Sequence, residues 1–147
     1  MSSTALELVY FPPKQFSPRF GDNFFTAQVD NFDHFVPTTC FSAKYVVFII
    51  LVSRGRETWE VKRRFSDFER FLLYLKQNYP KTVQPFPTLP PKTCFGVADD
   101  HDFLFRRAKD LHVFLTELFT TLHMEKLLKD ETVLDFLSLS TYRNVSV

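Results

Sequence analysis

The 147-residue chain predicts an α+β domain in which a small antiparallel sheet packs against a helical half. Two observations lead there. Across residues 24–65 the apolar residues alternate or run as short β-branched and aromatic stretches, whereas from residue 66 onward they recur at helical spacing. The period changes once, so strands precede helices instead of alternating with them. A third observation sets the scale: 45% hydrophobic and 24% charged residues are ordinary for a globular chain, and the length suits one sizeable core.

Residues 1–22, with Pro12, Pro13 and Pro18 and no clear periodicity, read as an N-terminal extension without assigned chemistry. Residues 24–29 read as a first strand. Residues 30–39, where Phe32, Phe35, Val36 and Pro37 sit among polar residues, read as a loop. The second strand covers residues 41–52 around a β-branched and aromatic run, and Ser53-Arg54-Gly55-Arg56 turns tightly into a third strand at Thr58. These three strands form an antiparallel meander.

The third strand runs into WEVKRRFSDFERF, residues 59–71. Trp59, Val61 and Phe65 share one face at period 2, and Lys62 and Arg64 share the other. Ser66 and Glu69 have capping-box spacing, which puts Arg64 at a strand-to-helix corner with Phe65 beside it. The helix carries one apolar stripe, Phe68, Phe71, Leu72, Leu75 and Tyr79, and Pro80 ends it.

Four prolines within residues 85–91 predict a stiff polyproline rod between the first two helices, with Lys92 at its end. A loop bearing Cys94, Phe95 and Val97 follows. Asp99 or Asp100 then caps a long helix reaching about Leu122, with a stripe of Leu104, Leu111, Phe114, Leu115, Leu118 and Leu122. Arg107 falls on that stripe, and Arg106 is turned away from it. Residues 124–128 and 132–139 read as two short closing helices. The domain is expected to span residues 23–140, with residues 141–147 as a tail.

Composition narrows the function. A formal charge of +1 means that any anionic partner is held by a local basic cluster. Such a balance also makes a poor nucleic-acid binder. His34, His101, His112 and His123 lack metal-ligand spacing, only 3 Gly are present and no nucleophile motif appears, so neither an enzyme, a metal nor a cofactor is expected. Cys40 and Cys94 read as free thiols and the N-terminus lacks a signal-peptide core, which together favour a reducing compartment, so a cytoplasmic location is expected. The longest apolar run, residues 45–52, is far shorter than the roughly 20 residues of a transmembrane segment.

Taken singly, the candidate residues have ordinary explanations. Arg64 is either a solvated arginine or a phosphate ligand, since a guanidinium fork matches a phosphate monoester. Arg63 reads as a structural ion pair. Phe65 is by default a core residue and Arg107 a snorkelling one. Phe95 and Val97 form an apolar tip rimmed by Lys92, Asp99 and Asp100, suited either to the core or to a bilayer.

Their order is more informative. Strand, Arg-Arg-aromatic, capped helix, proline-rich rod ending in Lys, and a helix with Arg four residues before Leu together resemble the phox-homology (PX) domain of sorting nexins, over residues 24–139. The resemblance implies a non-catalytic module that binds phosphatidylinositol 3-phosphate and attaches peripherally to endosomal membranes. It also implies roles: Arg64 for the 3-phosphate, Phe65 beneath the inositol ring, Lys92 for the 1-phosphate and Arg107 for ring hydroxyls, with Phe95 and Val97 entering the bilayer. The alternative is a protein-interaction module whose proline-rich segment, around residues 87–90, is read by a partner.

Overall fold

A computed structural model describes residues 7–35, 45–83, 85–92, 100–121 and 124–139. Its sheet has four strands in sequence order: β1 (Val9–Tyr10), β2 (Phe24–Phe35), β3 (Tyr45–Arg54) and β4 (Glu57–Arg63). The expected meander is β2-β3-β4, paired antiparallel with Val29 opposite Ile50 and Val52 opposite Trp59. Its small and β-branched residues fill the core from one face: Ala27, Val29, Ile50, Val52 and Val61 are all buried.

Two features correct the three-strand reading. The N-terminal segment contributes Leu8 and Tyr10 to the core and supplies β1, which pairs parallel with the start of β2. The first strand also continues through residues read as loop, because the register shifts between Val29 and Asn31. Such a bulge resets the alternation and returns Phe32 to the buried face. The imidazole of His112 accepts from the Val29 N–H there (3.2 Å), tying the bulge to the long helix.

Gly55 has φ +56°, and a Cβ at that position would lie 2.4 Å from Asp22 Oδ1, so the β3–β4 turn requires glycine. Its N–H donates to the Phe24 carbonyl (3.1 Å), while buried Arg54 donates from Nε to the Asp22 carbonyl (2.6 Å). Together they lock the hairpin end to the root of β2.

Four helices follow: α1 (Phe65–Asn78), α2 (His101–Phe119), α3 (Met124–Leu127) and α4 (Glu131–Phe136). The α1 stripe buries Phe68, Phe71 and Leu75, and that of α2 buries Leu104, Leu111, Phe114, Leu115 and Leu118. Asp100 caps α2 by accepting from the Phe103 N–H (3.1 Å). Leu122 lies outside the described residues. Asp130 Oδ1 accepts from the Thr132 N–H (2.8 Å) at the start of α4, and its Oδ2 accepts from the phenols of Tyr74 (2.6 Å) and Tyr79 (2.5 Å) at the end of α1. One carboxylate thus joins α1 to α4. Residues 85–92 form neither helix nor strand; Pro87 is buried, and Phe86 and Leu89 pack against the core.

Candidate functional site

The corner between β4 and α1 is built differently from the sequence expectation. Phe65 is the first residue of α1, not the last of the strand, and Arg64 occupies the N-cap with extended backbone, φ −77° and ψ 160°. The Arg64 N–H donates to Asp67 Oδ2 (2.7 Å), so Asp67 does what spacing assigned to Glu69. The helix begins two residues earlier than a Ser66 cap allows. As a result Phe65 projects from the first turn of α1, and the unpaired amides of that turn lend partial positive charge to the corner.

Arg63 and Arg64 part company here. Arg63 shares a β4 face with Trp59, and both reach the C-terminal end of α4: Trp59 Nε1 donates to the Leu137 carbonyl (2.9 Å), Arg63 Nε to Phe136 (3.0 Å) and its Nη2 to Asp135 (2.8 Å). Arg63 is structural, as expected, though these bonds go to helix-end carbonyls. Arg64 turns the other way and is exposed, its guanidinium 3.9 Å from the centre of the Tyr45 ring. Tyr45 in turn stacks on its cross-strand partner Phe35 (4.9 Å, 22°). An arginine held by a ring face keeps all its donors available.

Arg107 lies on the buried face of α2, 7% exposed, where its spacing to Leu104 and Leu111 put it. Its guanidinium is 4.3 Å from the Phe65 ring centre and 4.9 Å from that of Phe103, and Nη2 donates to the Pro91 carbonyl. Nε is buried and has no hydrogen-bond partner among the described residues. Burial lowers the pKa of this guanidinium from the usual arginine value, while Asp110 and Glu69 oppose that fall. Arg107 stays cationic, because such a high ordinary value leaves ample room.

Arg107 therefore joins three chain segments: it touches Phe65 at the start of α1 and the carbonyl of the residue before Lys92. Lys92 itself is exposed. A depression of about 350 Å³ opens beside Arg107, lined also by Pro90, Pro91, Phe103, Arg106 and Asp110. Phe95 and Val97 lie outside the described residues. Sequence reasoning missed Tyr45, Phe35 and Phe103 as the rings that hold the two arginines. Tyr45 and Phe35 looked like a strand residue and a loop residue, and only the register pairs them.

Among the described residues no helix is long and apolar enough to cross a membrane. Residues 51–140 match the family model described as PX domain. The chain is 46% identical over 61 residues to sorting nexin MVP1 of Candida albicans, which covers 42% of this chain and 8% of that protein. It is 33% identical over 75 residues to the serine/threonine-protein kinase Sgk3 of Rattus norvegicus, covering 51% of this chain and 14% of the kinase. The matched stretch is thus a small part of each of these relatives. A designed CISK-PX domain superposes with a TM-score of 0.61 at 31% identity, covering 76% of this chain and 96% of that one. The mouse SNX19 PX domain with bound sulphate ion superposes with a TM-score of 0.58 at 18% identity, covering 77% and 94%.

Proposed function

The chain belongs to the PX-domain family, and from that premise we propose that it recruits its protein to endosomal membranes by recognising phosphatidylinositol 3-phosphate. The family is a phosphoinositide-binding module of membrane trafficking and is generally non-catalytic. In our reading Arg64 receives the 3-phosphate, the Phe65 ring lies beneath the inositol, Lys92 meets the 1-phosphate and Arg107 meets ring hydroxyls. Phe95 and Val97 then enter the cytoplasmic leaflet, and the proline-rich segment acts as a polyproline spacer that aims Lys92.

One observation carries this reading. Arg107 packs on Phe65 and donates to the carbonyl preceding Lys92, so a single guanidinium draws the corner after β4, the proline-rich segment and α2 to one place. Arg64, one residue from Phe65, leaves its guanidinium exposed on the Tyr45 ring at that corner. An exposed cation beside a ring face, as Arg64 is, suits a sugar-like anion better than it suits a core. The protein-interaction alternative has less support, because Pro87 is buried and Phe86 and Leu89 pack in part against the core.

A liposome panel presenting each phosphoinositide in turn, at fixed salt, tests the reading. Selective retention on phosphatidylinositol 3-phosphate is the expected result. Equal retention on all anionic liposomes, scaling with lipid charge alone, would overturn it.

A further inference from the structure

The two ends of the proposed pocket differ in charge balance. At the first, the exposed guanidinium of Arg64 rests on the Tyr45 ring, and the nearby Asp67 carboxylate is engaged by the Arg64 backbone N–H and by Arg70 Nη2 (2.5 Å). That end keeps a surplus positive charge. At the second end Arg107 is accompanied by Asp110, three residues on along α2 and lining the same depression. Glu69, one turn after Phe65 along α1, adds a second negative charge that acts on the Arg107 guanidinium. Arg106 also lines the depression and Lys92 follows Pro91 in the chain, so the two carboxylates offset most of the positive charge gathered there.

Resting on the function proposed above, we propose that Asp110 and Glu69 are specificity-determining residues: they make the Arg107 end accept free ring hydroxyls and reject a further phosphate. A hydroxyl both donates and accepts, so it can accept from the guanidinium while donating to a carboxylate. A phosphate monoester carries about −1.5 to −2 charges and as the dianion only accepts, so each carboxylate repels it. Without them, a desolvated arginine would favour the phosphate over the hydroxyl, because charge-assisted bonds are the stronger ones. The charge pattern thus matches an inositol whose phosphates lie at Arg64 and Lys92 and whose hydroxyls beside Arg107 are free. Selection of this kind works by repelling the wrong ligand as much as by holding the right one.

The test uses Asp110→Asn, Glu69→Gln and the double variant, each close to isosteric. Affinity is measured for the soluble headgroup of phosphatidylinositol 3-phosphate and for headgroups bearing an additional phosphate at ring position 4 or 5. The expected result is a shift of the affinity ratio toward the additionally phosphorylated headgroups, by about fivefold or more in the double variant, diminishing with salt as like-charge repulsion is screened. An unchanged ratio overturns the proposal. So does an equal loss for every headgroup, which would mean that the carboxylates merely position Arg107. Should the double variant fail to fold, Asp110→Asn alone decides, since Asp110 is exposed. If the unaltered protein binds none of these headgroups, the proposed function itself fails and this inference falls with it; binding with an unchanged ratio overturns this inference alone.

Discussion

Replacing Arg63 with Ala should cost stability and leave lipid recognition in place, the opposite of what Arg64→Ala should do. Arg63 donates to the carbonyls of Asp135 and Phe136, the last turn of α4, and its guanidinium lies 5.4 Å from the centre of the Phe136 ring. The Asp135 carbonyl also accepts from the Ser138 N–H (3.0 Å), and a cation there meets the negative end of the helix. Two hydrogen bonds from a charged, half-buried donor and a modest cation–π contact together contribute roughly 2 to 4 kcal/mol. For a domain of this size that is a fall in Tm of roughly 5 to 15 °C. Thermal unfolding of both variants, with liposome binding measured well below both transitions, checks the contrast. Arg64→Ala should unfold close to the unaltered protein and lose selective binding. If Arg63→Ala unfolds normally, or abolishes binding while folded and Arg64→Ala does not, the two arginines have been assigned the wrong way round.

Three further outcomes are expected. Asp130→Ala removes the α4 cap and the acceptor of two phenols, so a loss of roughly 2 to 4 kcal/mol in urea unfolding is expected; a loss below 1 kcal/mol would contradict the linking role. The Asp130 carboxyl is a net case: burial alone would raise its pKa, but the phenols of Tyr74 and Tyr79 and the N–H groups of Thr132 and Val133 hold it below the usual value, while Tyr79 is pushed up to about 12 by its own burial and by Asp130. His112 accepts from the Val29 N–H, and burial depresses its pKa below 6.5 against the opposing pull of Asp30. The unfolded chain therefore binds that proton more readily than the folded one, so the contribution is complete above about pH 6.5 and is lost as pH falls below it; His112→Gln should flatten this part of the stability profile, and an unaltered profile would refute it. Finally, Phe95→Ser with Val97→Ser should weaken liposome binding by up to roughly 3 to 6 kcal/mol, the transfer term for two apolar side chains, without changing affinity for a soluble headgroup. Equal losses in both assays would place these residues in the core.

Much of this architecture was legible because it is local. The stripes on α1 and α2, the Asp100 cap and the stop before Pro80 each depend on residues within a few positions of one another. The placement of Arg107 on the buried face of α2 followed from its spacing to Leu104 and Leu111 alone. What escaped depends on distant partners. The two-residue strand β1 has no periodicity to detect, and its place is set by pairing with Phe24 and Phe25. The bulge at residue 30 broke the alternation that would have marked residues 30–35 as strand. The misplaced α1 cap is a subtler case: Ser66-x-x-Glu69 and Arg64-x-x-Asp67 have the same spacing, and the side-chain preference for Ser pointed to the first. Asp67 prevailed because a carboxylate at the third helical position can satisfy the cap N–H even when the cap side chain is not an acceptor. The rings under Arg64 and Arg107 could not be read at all without the register of β2 on β3 and the packing of α1 against α2.

The central claim, that residues from the corner after β4, the proline-rich segment and α2 form one pocket for a singly addressed phosphoinositide, is tested most directly by a double-mutant cycle. Arg64→Ala, Lys92→Ala and the double variant are titrated with the soluble headgroup of phosphatidylinositol 3-phosphate. Each single change should lower affinity at least about tenfold, since a desolvated charge partner is removed. The two losses should be non-additive by at least about 0.5 kcal/mol, because both groups hold one rigid ligand. Strictly additive losses, or an Arg64→Ala protein that is folded and binds as before, would contradict the account.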